Sequence, residues 1–280
     1  QLAELGDVYV NECFGVSHRK HASMYGVPSL LPSAGGLCLR KEINTVEQLI
    51  KNPERPFVTV LGGIKADKMK VLKNLLPKVD QVIVGGGLAM LMLKFQGKNI
   101  GNSKFDEQWM TSEMQDEVKQ IMNNPEHMKK IILPEDFVIT ESFKPDATSK
   151  IVKAGEITDG WMALDIGPET QKKFRELLEK ANTTLWAGPM GVFEFENFAA
   201  GTKMIAEAMA ENPGTTIVGG GQSGMAIEQF NLADRVTHVS TGGGAFLNFV
   251  SNGSLPAVNR LRDFKELNEQ KNRMEMETIY

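Results

Sequence analysis

No stretch of the chain approaches the roughly 20 consecutive apolar residues that a membrane-crossing helix needs. Metal-holding residues are scarce, with 4 histidines and 2 cysteines among 280 residues. The histidines are too few and scattered for a metal cluster, and Cys13 and Cys38 lack the spacing of a zinc site or redox pair. Both are expected to be core thiols kept reduced, which points to the cytoplasm or another reducing intracellular compartment. A surplus of one charge is also missing: 31 basic and 35 acidic residues leave a net charge of −4. That gives no bulk attraction to nucleic acid or to an anionic membrane. No signal-like segment precedes the first strand-like run, Asp7-Val8-Tyr9-Val10, and the chain opens on Gln1. The expectation is that its true beginning lies upstream.

What is present is an ordinary globular composition, 41% hydrophobic and 24% charged. At this length the chain can bury the core of one large domain or two unequal ones. The strongest pattern is a short β-branched or apolar run, then glycines, then a helical segment. Phe57–Leu61 leads to Gly62-Gly63, and Gln81–Val84 to Gly85-Gly86-Gly87 and an apolar helix from Leu88 to Phe95. Thr183–Trp186 leads to Gly188 and Gly191, Thr215–Val218 to Gly219-Gly220-Gly221, and Thr237–Ser240 to Gly242-Gly243-Gly244. Strands alternating with helices predict a parallel sheet covered on both faces.

Amphipathic segments fill the intervals. One carries Val46, Leu49 and Ile50 and stops at Asn52-Pro53. Others span 107–122, 169–180 and 198–211, the first and last stopped by Asn-Pro. Further strands are expected at 131–133 and 136–140. The charged end, 260–280, reads as a short surface helix or as a disordered tail, the tail or partner-contacting extension being the favoured expectation.

Glycines at the carboxyl end of parallel strands let the backbone approach a ligand, and the following helix aims its free N–H groups at an anion. One such junction is explained by a tight turn; five in one chain predict a phosphate- or nucleotide-binding edge. Neither the P-loop order nor G-x-G-x-x-G with a following acidic residue occurs. Instead Lys65 and Lys68 come after Gly62-Gly63, where a lysine can reach phosphates; the alternative is two solvated lysines at a helix start.

Longer stretches resemble the phosphoglycerate kinase family from about Leu2 to Val258. They are Gly6–Asn11, Ser17–Ser23, Pro53–Phe57, Gly85–Gly87, Asp159–Met162 with Leu164–Pro168, Gly188–Glu194 and Ser240–Ala245. The resemblance implies phosphoryl transfer between 1,3-bisphosphoglycerate and ADP with Mg, a step of glycolysis. It also implies a two-lobe kinase whose nucleotide lobe is a doubly wound, Rossmann-like sheet. Residues 1–33 would end the N-terminal substrate lobe, 34–52 form an interlobe helix, 53–252 the nucleotide lobe, and 253–280 a C-terminal segment and tail. Gly62, Gly63, Lys65 and Lys68 would then lie near the phosphates, and Gly86, Gly87 and Leu164 would line the adenosine pocket. Glu194 would take the ribose hydroxyls, while Gly220, Gly221, Gln222 and Ser223 would meet the Mg-nucleotide. Gly242, Gly243 and Gly244 would hold the transferring phosphate, and His18, Arg19 and His21 would belong to the basic patch for phosphoglycerate.

Four positions depart from the family's pattern. Gln222 stands for a Mg-binding aspartate, and a neutral amide replaces a charged oxygen ligand. Ala187 stands for an asparagine, and Ala163 for a glycine beside the adenosine pocket. The run Gly62-Gly63-Ile64-Lys65-Ala66-Asp67-Lys68 is one residue short, which rotates the residues after it by about 100° if that turn is helical. Two expectations result. One is a catalytically impaired relative with a structural or scaffold role in a larger assembly, held through its tail. The other is an active enzyme whose N-terminal lobe is not in the given sequence. Nucleotide binding for regulation is compatible with both.

Overall fold

The structure, a computed structural model, describes residues 1–65 and 67–263. In chain order its elements are β1 (Tyr9–Asn11), β2 (Ser33–Gly35), α1 (Leu37–Lys51), β3 (Phe57–Leu61), α2 (Asp67–Leu75), β4 (Gln81–Val84), α3 (Gly86–Phe95) and β5 (Asn99–Ile100). Next come α4 (Ser112–Met122), α5 (Pro125–Lys130), β6 (Ile131–Ile132), β7 (Asp136–Thr140), β8 (Ser149–Lys153), β9 (Glu156–Ile157), β10 (Met162–Ile166) and α6 (Pro168–Glu179). The last are β11 (Thr183–Ala187), α7 (Ala200–Glu211), β12 (Thr215–Val218), α8 (Gly221–Gln229), β13 (His238–Val239) and α9 (Gly244–Asn252). Short 3₁₀ turns and one π turn join several of these.

Among the described residues two compact units result, 52–240 and 1–51 with 241–263. Residues 241–252, which the resemblance assigns to the nucleotide lobe, therefore group with 1–51. The larger unit holds a six-stranded sheet in the order β13-β12-β11-β3-β4-β6, every neighbouring pair parallel. Its central strands β3 and β11 are buried at every position, as continuous apolar and β-branched runs require when helices cover both faces. Trp186, Phe174, Phe193, Ile205 and Val60 are closed off from solvent in one core. Each large side chain so buried contributes roughly 1.5–3 kcal/mol.

The sheet is not the whole of the unit. An antiparallel sheet, β10-β7-β8, adds strands 149–153 and 162–166 that no parallel expectation contains. The polar helix expected over 107–122 is broken. Asp106 accepts a hydrogen bond from Gln108 N and caps a 3₁₀ turn over Glu107–Met110. Thr111 is extended (φ −65°, ψ 149°), and α4 begins after it. In the same way a 3₁₀ turn, Glu196–Phe198, replaces the start of the helix expected from Phe198.

In the smaller unit β1 and β2 pair in parallel. Glu12 Oε2 accepts from Cys38 N at 2.8 Å and Leu39 N at 3.1 Å, capping α1 with a carboxylate where the helix is positive. This arrangement overturns the expectation of core thiols. Cys13 and Cys38 are free and exposed, Cys38 because it sits in the capped first turn of α1, Cys13 because Asn11 turns inward there and binds its N–H. Residues 256–263 are helical; the rest of the expected tail, 264–280, lies outside the described residues.

Candidate functional site

Parallel register brings the strand ends of the larger unit level with one another. Ala187 pairs with Leu61, Leu61 with Val84, and Trp186 with Val218. Gly62, Gly85, Gly188 and Gly219 therefore emerge along one edge, as the glycine pattern predicts. Gly62, Gly63, Gly86, Gly87, Gly220, Gly221, Gln222 and Ser223 all lie in the loops or first helical turns of that edge.

The glycines on this edge serve two different ends. A Cβ at Gly62 would collide with the carbonyls of Pro189 and Gly188, one at Gly86 with Gly63 N, and one at Gly85 with Met190 Sδ. Gly62 and Gly86 thus let loops of this edge pack backbone to backbone, and Gly85 makes room for the Met190 side chain. At the β12 end the space is open. A Cβ at Gly221 would meet nothing within 4 Å, and one at Gly220 only Ser223 Oγ at 3.4 Å. Gly220 has φ 89°, a conformation that glycine takes at no steric cost. The open backbone is where α8 begins, with unsatisfied N–H groups at its positive end.

Around this opening the side chains are fixed unequally. Ser223 is buried, its hydroxyl donating to Gly219 O at 2.5 Å and accepting from Gly188 N at 3.0 Å. It braces two strand-end loops. Gln222 is exposed, and its Oε1 lies 3.5 Å from the point a Cβ on Gly63 would occupy. Lys65 is exposed beside Gly63, whereas Lys68 is buried in the first turn of α2 with its Nζ 3.2 Å from Ala187 O. The two lysines after Gly62-Gly63 thus differ in role: one reaches solvent, the other a strand-end carbonyl.

Leu164 is buried in β10, and Glu194 is exposed on the loop between β11 and α7. That loop is tied down from three sides. Val192 N donates to Leu164 O at 2.8 Å, Met190 N and Gly191 N donate to Thr202 Oγ1, and Trp186 Nε1 donates to Gly188 O. Next to it stands Asp165, which in the sequence stands out only as one residue of the longer stretch Leu164–Pro168. A bulge in β10 between Ala163 and Asp165 accompanies its inward position. Its Oδ2 accepts from Gly201 N in the first turn of α7 at 2.7 Å, and its Oδ1 from Ile166 N at 2.9 Å. Burial pushes its carboxyl up to about 7 against the two hydrogen bonds that favour the charge. An acidic residue between Leu164 and Ile166 in a strand is the signal that could have marked it.

His18, Arg19, His21 and Gly242–Gly244 belong to the smaller unit. There Phe14 packs where a Cβ on Gly242 would fall, so the turn leading to His18 and Arg19 lies against the start of the triple-glycine run. Thr241, just before that run, is held by Glu42 of α1, whose Oε1 accepts from Thr241 N at 2.8 Å and Oγ1 at 2.9 Å. Gly243 and Gly244 face open space. Partial burial, with the neighbouring Arg19 charge, lowers the His18 pKa below its ordinary value. Arg19 is exposed and donates from Nε to His18 Nε2 at 3.3 Å.

The described residues contain no group of three His, Cys, Asp or Glu side chains placed to hold a metal ion. Gln222 offers one neutral carbonyl oxygen. This donor set does not fit Mg, which takes charged oxygen ligands. No helix among the described residues is long and apolar enough to cross a membrane.

Comparison with known proteins agrees with this geometry. A family profile described as phosphoglycerate kinase matches residues 1–253. The chain is 48% identical over 259 residues to the phosphoglycerate kinase of Moorella thermoacetica, covering 92% of this chain and 65% of that protein. It is 47% identical over 266 residues to that of Roseiflexus castenholzii, covering 94% and 66%. It thus spans about two thirds of the length of these relatives. The solved phosphoglycerate kinase of Coxiella burnetii superposes with a TM-score of 0.83 at 38% identity, over 93% of this chain and 67% of that one. That of Pyrococcus horikoshii gives 0.82 at 32% identity, over 95% and 66%. The six-stranded parallel sheet with its open carboxyl edge, the resembling stretches and these matches coincide along the same residues: the chain belongs to the phosphoglycerate kinase family.

Proposed function

We propose that this chain binds ADP or ATP along the carboxyl edge of its six-stranded sheet and takes part in phosphoryl transfer to and from phosphoglycerate, at a rate lowered by Gln222. The observation that carries the reading is the open backbone at Gly220-Gly221, where α8 starts, with the Gln222 amide beside Gly63. A phosphate there meets free N–H groups and the exposed Lys65. Leu164 and the tied loop carrying Glu194 supply the adenosine and ribose contacts that the resemblance implies. His18, Arg19 and His21 take the acid substrate, and Gly242, Gly243 and Gly244 the transferring phosphate.

Phosphoryl transfer asks little covalent chemistry of the protein; positioning and cancellation of charge on the moving group carry it. A neutral amide at position 222 removes a negative charge from a place where the family's pattern has one. Loss of one positioned group in such a site costs roughly 10²-fold or more in rate. The test is coupled turnover and ADP binding on the full-length protein, with and without Gln222→Asp. A gain of about tenfold or more in Mg-dependent turnover on substitution supports the reading. Wild-type turnover equal to that of ordinary relatives, or no gain on substitution, removes the assignment of lowered rate to Gln222.

A further inference from the structure

The buried carboxyl of Asp165 has no part in the nucleotide reading above, yet it joins the pieces that carry Glu194. Its Oδ2 accepts from Gly201 N at 2.7 Å in the first turn of α7. The hydroxyl of the next residue, Thr202, accepts from Met190 N at 3.1 Å and Gly191 N at 3.3 Å. On the other side Leu164 O accepts from Val192 N at 2.8 Å. Residues 190–192 are thus gripped between Leu164-Asp165 and Gly201-Thr202. The grip is close: a Cβ on Gly191 or on Gly201 would lie 2.4 Å from Asp165 Oδ1. Val192 then closes a turn, its carbonyl accepting from Phe195 N at 2.9 Å, and Glu194 stands exposed within that turn.

A carboxylate holds N–H groups more strongly than a neutral carboxylic acid does. At Asp165 the Gly201 and Ile166 N–H groups favour the charge, while burial opposes it and brings the carboxyl up to about 7. Charged groups on the elements packed around it are engaged elsewhere. Lys203 and Glu207 of α7 face each other at 3.8 Å, and Arg175 of α6 is paired with Glu179 and Glu211. Lys94 of α3 lies 5.3 Å from the Phe105 ring centroid, and Asp136 of β7 accepts from Glu169 N and Thr170 N at the start of α6. None of these is among the causes of the raised value, so the strength of the grip follows the proton on Asp165 itself.

Resting on the nucleotide reading above, we propose that Asp165 is a positioning residue: its ionised carboxylate holds loop 190–195 where Glu194 meets the ribose of a bound nucleoside diphosphate, and protonation slackens that hold. ADP titrated into the full chain at pH 6 and pH 8, followed by calorimetry, tests this. The gain in affinity from pH 6 to pH 8 is at least about threefold larger in wild type than in Asp165→Asn. Comparing the two proteins cancels ionisation of the ligand and of every other group. Inorganic diphosphate, which has no ribose for Glu194 to hold, gives equal gains in both. Glu194→Ala responds to pH as Asp165→Asn does. Coupling is reciprocal, so saturating ADP lowers the midpoint of the Asp165 carboxyl carbon, read by 13C NMR in wild type, by about half a pH unit. That measurement decides the matter if the asparagine variant does not fold. A merely structural Asp165 lowers stability but leaves the pH gains equal. Equal gains for ADP, a wild-type gain retained in Glu194→Ala, or a carboxyl midpoint that ADP leaves unmoved overturns the proposal while nucleotide binding stands. No ADP binding to wild type at either pH removes the nucleotide reading, and this proposal with it.

Discussion

Asp165→Asn changes how stability depends on pH, by an amount the structure sets. The carboxyl is raised to about 7 by burial in the folded chain, against an ordinary value of 3.8. Below pH 3.8 both states are protonated and the shift has no effect. As pH rises from there the unfolded chain ionises first, so the folded state loses stability until its own carboxyl ionises near pH 7, after which the loss is constant. The full shift corresponds to about 4 kcal/mol, of which roughly 3 falls between pH 5 and pH 8. Asparagine carries no charge at any pH. Its NH₂ must face Gly201 N–H or Ile166 N–H, and leaving one of these unpaired costs about 1–3 kcal/mol at every pH. The stability of the variant relative to wild type therefore rises by roughly 3 kcal/mol between pH 5 and pH 8. Urea unfolding at half-unit intervals reads this directly, because every other titrating group is common to both proteins. Parallel stability curves over pH 5–8 would refute the argument.

Gly62→Ala is expected to destabilise the fold by about 2–4 kcal/mol in urea unfolding, since its methyl meets the Gly188 and Pro189 carbonyls. Gly221→Ala, with open space around it, leaves unfolding within about 0.5 kcal/mol of wild type. Ser223→Ala leaves the buried Gly188 N–H without its acceptor and costs about 1–3 kcal/mol, read as a lower midpoint in urea. Glu42→Ala releases both the N–H and the hydroxyl of Thr241 and costs a similar amount; hydrogen exchange at Thr241 and Gly242 rises with it.

Much of the fold was legible in the sequence because period and punctuation agreed. Phe57–Leu61, Gln81–Val84 and Thr215–Val218 are strands with the bounds their β-branched runs predict. Glycine placement marked the carboxyl edge but not its division of labour. Whether Gly86 makes room for a ligand or for Gly63 depends on a neighbouring loop distant in sequence, and composition does not report it. The break at Thr111 rests on one capping aspartate, a local hydrogen bond that outweighed a helical pattern extending on both sides. Cys13 and Cys38 misled for a related reason. Free cysteine is apolar on average, but each stands beside a residue, Asn11 or Glu12, whose side chain takes the inward or capping position. The antiparallel β10-β7-β8 sheet escaped because β8 is exposed at four of its five positions and carries no apolar run.

An anion is expected at Gly220-Gly221, where the backbone of the edge is open and α8 begins. ADP titrated into amide-labelled full-length protein, with chemical shifts tracked residue by residue, addresses this most directly. The account predicts the largest saturable changes at Gly220, Gly221 and Ser223, abolished or weakened at least about tenfold by Gly221→Val while urea unfolding stays unchanged. Binding that leaves those amides unmoved, or that Gly221→Val does not weaken, would contradict it.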